Sequence, residues 1–134
     1  MKKLTKAEIL QLRGYIAALN VVGLTPEKSL SLLRLHRKVK EVVEEINHAQ
    51  RDMIDKYGIS IIEGSNMLDT QSENFVEYDA AYQALITEQV ELTEFCIFTE
   101  SEAMLAVKNM DAPITIVDDV VRLLTAEKAD TENE

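Results

Sequence analysis

Tryptophan is absent from this 134-residue chain, and aromatic residues make up only 5% of it. A core built with so few rings is mainly aliphatic, which suits interlocking helix faces better than a β-sandwich. There is a single cysteine, Cys96, so no intrachain disulfide can form, and a reducing, cytoplasmic setting is the expectation. No apolar run approaches the roughly 20 residues needed to span a bilayer. Lys2 and Lys3 are not followed by an apolar stretch of signal-peptide kind. Neither a leader nor a membrane anchor is therefore expected. The four glycines form no phosphate loop, and no Gly-x-Ser-x-Gly, Cys-x-x-Cys or Walker pattern occurs. Nothing here argues for an enzyme, a cofactor or a small-molecule substrate.

What the chain does have is helical periodicity and unevenly placed charge. Its length is that of one ordinary domain, and 46% hydrophobic with 28% charged residues is a globular balance. The expected organisation is a helical domain over residues 1–125 and an acidic, flexible tail over 126–134. The net charge of −10 hides a split. Residues 1–57 carry eleven Lys/Arg against seven Asp/Glu, a balance of +4, whereas residues 58–134 carry three against seventeen, a balance of −14. One reading is that the halves pack together and partly neutralise each other. The other is a polar molecule whose basic face meets the acidic face of a neighbouring copy. Overall acidity argues against direct nucleic-acid binding, because phosphate contacts need concentrated positive potential.

Residues 25–57 read as one unbroken amphipathic helix. Leu32, Leu35, Val39, Val42, Ile46, Ala49 and Met53 recur at spacings of three and four, a heptad-like seam for packing along another helix. Thr25 is a good N-cap, Pro26 suits the first helical position, Glu27 favours the positive end of the dipole, and Gly58 suits the C-cap. Arg37 with Glu41 and Lys40 with Glu44 have the spacing of helix-surface pairs, each worth about 0.2–0.5 kcal/mol. Upstream, Thr5 and Glu8 form a capping box for a helix with Ile9, Leu12, Ile16 and Leu19 on one face, ending near Asn20 or Val21.

The remaining elements are less regular. Ile59, Ile61 and Ile62 suit a short strand or a buried plug, and residues 64–66 a turn. Ser72 is read as the cap of a helix to about Gln89, with Phe75, Tyr78, Tyr82 and Leu85 on one face. Residues 90–98 (VELTEFCIF) are the best strand candidate, with residues 2–4 or 59–62 as its partner. Thr99 and Glu102 form a second capping box for a helix to about Lys108. Pro113 interrupts, and residues 114–124 read as a last helix bearing Val117, Val120, Val121 and Leu124. The fold class is thus mostly α, α+β at the margin: a long helical hairpin or bundle with one short strand or small β-hairpin.

Few side-chain groupings carry chemistry. Glu45-x-x-His48 is half of a carboxylate-bridged di-metal motif. The only other histidine, His36, has Leu33 where the matching Glu would stand, so a solvated helix face, with Glu44 and His48 paired, is the simpler reading. Arg34, His36, Arg37, Lys38 and Lys40 form a basic cluster around the helix circumference, without interleaved aromatics and followed at once by acids. Arg34, Arg37, Lys38 and Lys40 are accordingly a candidate surface for an acidic protein partner. Cys96 lies among Phe95, Ile97 and Phe98, where an inert core thiol is expected. Asp118 and Asp119 are read as complements to a helix dipole.

In its order of parts the chain resembles a family of small proteins encoded by tailed phages and prophages. The likeness covers roughly residues 4–124. It comprises the opening helix, a leucine corner, a long charged helix ending in Tyr57, a loop, the Phe75, Tyr78, Tyr82, Leu85 helix, the Gln89-Val90-Glu91-Leu92 segment, and a short helix before an acidic end. The resemblance transfers no site residues. It implies an assembly or virion-associated role, in the host cytoplasm or the virion. The function expected is thus non-enzymatic, through homo-oligomerisation or docking on a protein partner. The alternative is a small acidic regulatory module that binds a host protein or mimics nucleic acid.

Overall fold

A computed structural model describes residues 3–62, 64 and 68–125. The expected acidic tail, and most of the turn at 64–66, lie outside the described residues. In chain order the elements are β1 (Lys3–Thr5), α1 (Lys6–Ala17), α2 (Pro26–Tyr57), α3 (Phe75–Ile86), β2 (Gln89–Glu91), a 3-10 turn (Thr93–Phe95), α4 (Glu100–Ala106) and α5 (Ile114–Leu124). The architecture is mostly α, a helical bundle with a small two-stranded antiparallel sheet.

Local signals set the frame of the first half. The Thr5 hydroxyl accepts from Glu8 N–H at 3.1 Å and the Glu8 carboxylate accepts from Thr5 N–H at 2.9 Å, closing the capping box of α1. Thr25 caps α2, Pro26 occupies its first position, and Gly58 ends it in the left-handed conformation at φ 63°. At 1.5 Å per residue this 32-residue helix is about 48 Å long. Helix α1 stops at Ala17 rather than near Asn20. The reason is tertiary: the Asn20 N–H turns away to donate to the carbonyl of Ala106 at 2.8 Å, and its side chain accepts from Val22 N–H.

One apolar cluster joins both halves. Ile9, Leu12 and Ile16 of α1 meet Leu32, Leu35, Val39, Val42 and Ile46 of α2, all buried. Leu92, Phe95 and Phe98, followed by Ala103, Ala106, Val107, Val120, Leu123 and Leu124 from α4 onward, complete it. Helix α3 packs Tyr82 and Leu85 at the margin of the cluster and buries Tyr78 outside it. The seam of α2 is thus buried from Leu32 to Ile46, while Ala49 and Met53 are only half-buried. Among the described residues no helix is long and apolar enough to cross a membrane.

Three expectations for the second half are corrected. First, α3 begins at Phe75, not Ser72. The Ser72 hydroxyl accepts from Ser60 N–H at 3.2 Å, in the loop, and no side chain caps the helix. It ends at Ile86 because Gln89 starts β2. Second, the strand is Gln89–Glu91, not residues 90–98. Leu92, Phe95 and Phe98 are all buried, and a spacing of three fits a 3-10 turn rather than a strand's alternation. Its partner is β1, with Leu4 opposite Val90 and Lys3 opposite Glu91. Third, Ile59 is the buried plug, whereas Ile61 and Ile62 are exposed and Ile61 makes an isolated bridge to Leu68. The second capping box, Thr99 with Glu102, is present, but α4 ends at Ala106. Helix α5 covers 114–124 as expected and buries Leu123, which the apolar periodicity did not single out.

Candidate interaction surface

The basic residues of α2 do not converge on one spot. At 3.6 residues per turn, Arg34, Arg37, Lys38 and Lys40 spread over about 160° of the helix circumference. Arg37 stands opposite the core seam, with Lys40 on one flank and half-buried Lys38 on the other. None of the four forms an ion pair among the described residues. The anticipated Arg37–Glu41 and Lys40–Glu44 pairs are therefore open.

The rest of this outer face is also exposed. Leu30 and Leu33 keep 43% and 42% of their surface in solvent, although both belong to a leucine-rich run. Glu41, Glu44 and Glu45 follow Lys40 directly, so the face is cationic on one side of the Lys40–Glu41 peptide and anionic on the other. Toward α1 lies a shallow apolar groove of about 310 Å³, lined by Arg13, Gly14, His36, Val39, Lys40 and Val43 with Glu44.

The other candidates separate in space or serve the fold. Glu45 and His48 are exposed, and His48 pairs with Asp52 at 3.7 Å, not with Glu44. Among the described residues no group of three or more His, Cys, Asp or Glu is arranged to hold a metal ion. Cys96 is half-buried, and its Sγ donates to the carbonyl of Leu123 at 3.0 Å. Asp118 accepts from Arg122 at 2.9 Å within α5 and lies beyond the first helical turn, so it does not complement the helix dipole. A recess of about 510 Å³ beside it is lined by Phe98, Glu100, Asp118 and Arg122, among others.

Among the described residues, two first-half cations pair with the acidic half. Lys6 Nζ lies 2.6 Å from Glu88, extending the sheet contact, and Lys28 Nζ lies 3.3 Å from Glu102. Lys28 is the residue that sequence reasoning missed. Its ammonium donates to the Ile97 carbonyl and sits 5.2 Å from the Phe98 ring centroid. It therefore ties the first turn of α2 to the start of α4. A cation in a first helical turn opposes the dipole, and that misfit was the one available signal. The Glu102 carboxyl is held below its ordinary range, chiefly by the Thr99 backbone N–H and then by Lys28. Tyr82 shifts the other way: burial and its stacked neighbour Tyr78 push its hydroxyl up, against the pull of Arg13. The Tyr78 hydroxyl accepts from Gln50 at 2.9 Å, fastening α3 to the C-terminal third of α2.

Compared with protein-family models, curated proteins and solved structures, the chain finds no match.

Proposed function

We propose that this is a non-enzymatic structural or assembly-associated protein of a phage or prophage, acting in the host cytoplasm or the virion through oligomerisation or docking on a protein partner. The phage assignment rests on the order of parts in the sequence. The observation that supports docking is the outer face of α2. It is long and exposed, it carries Leu30 and Leu33, and Arg37, Lys40, Glu41 and Glu44 on it have no ion-pair partner among the described residues. Complementary charged faces steer association and weaken as salt screens them. Mass by light scattering at low and high salt tests this reading. A salt-sensitive oligomer is the expected result; a strict monomer at both, even when concentrated, with no specific protein partner recovered, removes it.

A second reading has its own support. Glu77, Asp79, Glu91, Glu94, Glu100, Asp111 and Asp119 are exposed and unpaired with any cation among the described residues. They leave the acidic half open to a basic host protein. Salt-dependent binding of polylysine, weakened by E77K/D79K, is the outcome expected of such a module. Equal binding by wild type and variant removes it.

A further inference from the structure

The outer face of α2 carries its own complement. Leu30, Leu33, Arg37, Lys40, Glu41 and Glu44 step by three and four residues, apart from the adjacent pair at the charge reversal, so they form one stripe opposite the buried seam. Reading the stripe in the reverse direction exchanges its cationic and anionic parts. We propose that two copies of the chain pair antiparallel through this stripe, about a two-fold axis at the Lys40–Glu41 peptide. This rests on the docking reading above and names its partner: a second copy of this chain.

In that register, residue pairs sum to 81. Arg37 of one copy faces Glu44 of the other, and Lys40 faces Glu41, so each contact occurs twice by symmetry. The same register sets Leu33 against the ring of His48 and Leu30 against the aliphatic stem of Arg51, covering the two exposed leucines. A parallel arrangement in register would set like charges together. An antiparallel register centred two residues further on would oppose Glu41 to Glu44. Of these three arrangements, charge complementarity favours the first. The interface closes on itself, so the product is a dimer and not a filament.

A charge swap tests the pairing. R37E/K40E makes the stripe anionic throughout, and E41K/E44K makes it cationic throughout. All four positions are exposed, so both variants should keep the wild-type helical circular dichroism. By light scattering at low salt, wild type is expected at twice the monomer mass and each variant alone at the monomer mass. Mixed one to one, the two variants should recover the doubled mass, because every opposed pair is again of opposite sign. A wild type that is monomeric at low salt overturns the pairing. A wild type whose oligomer persists unchanged in both variants, or variants that fail to recover on mixing, also overturns it. Those last two results leave the broader assembly reading standing.

Discussion

Helix α2 presents two stripes of the same spacing and opposite fate. On the inner one, Leu32, Leu35, Val39, Val42 and Ile46 are buried to within 4% of their surface. On the outer one, Leu30 and Leu33 remain more than two-fifths exposed beside Arg37, Lys40, Glu41 and Glu44. Three-and-four periodicity is thus not what distinguishes core from surface in this helix. Residue type along the whole stripe is: five consecutive apolar positions inside, two followed by charges outside. The inner stripe sets the fold and leaves little room for change, because close-packed interiors transmit the loss of even one methylene. The outer stripe can vary without disturbing that packing.

The sharpest way to break this contrast is to cut into the inner stripe. Leu35→Ala removes a fully buried side chain and is expected to cost about 2–5 kcal/mol, with Val42→Ala at about 1–3 kcal/mol, both read by chemical denaturation. Next comes the helix start on which both stripes depend. Thr25→Ala leaves the Lys28 N–H without its acceptor and should cost about 0.5–2 kcal/mol, while Thr25→Gly costs only a few tenths. Thermal melts that rank these two variants the other way would show that the cap is not what stabilises the turn.

A pH titration probes the tie between α2 and α4. The Glu102 carboxyl is depressed in the folded protein, so folding favours its ionised form. Its contribution is complete above the ordinary carboxylate value and is lost as pH falls through the lower folded value. Glu102→Gln should therefore flatten the acid side of the stability–pH curve. Parallel curves for wild type and variant would contradict the assignment. The smallest expected effect is on the outer stripe. Lys40→Ala, measured on dilute monomer, should cost under about 0.5 kcal/mol. If it proved as harmful as Val42→Ala, the division into two stripes would be wrong.

How much of this was legible depended on whether an element was set locally. The caps at Thr5, Thr25 and Thr99, the glycine stop at Gly58 and the span of α5 could be read directly, because each rests on neighbours within four residues. Residues 90–98 could not. Their β-branched and aromatic composition suggested a strand, yet Leu92, Phe95 and Phe98 face the same core at intervals of three, and what fixes this lies far along the chain, in α2 and at the Leu124 carbonyl that ends α5. Ser72 misled in the same way, since its hydroxyl serves Ser60 across the loop. At the candidate surface the four cations and their spread around the helix were identifiable, but Lys28 was overlooked because its partners are supplied by residues 97–102.

The pairing of β1 with β2 also has a kinetic meaning. Lys3 meets Glu91 across more than two thirds of the described chain, while α1 and α2 are joined by a short corner. Closing the larger loop costs more chain entropy, and non-local pairings of this kind slow folding. The first residues of the fold are therefore expected to be among the last to lock. Pulse-labelled hydrogen exchange should protect the amides of Leu35 and Val42 before that of Val90. The reverse order would make the sheet the nucleus on which the helices assemble.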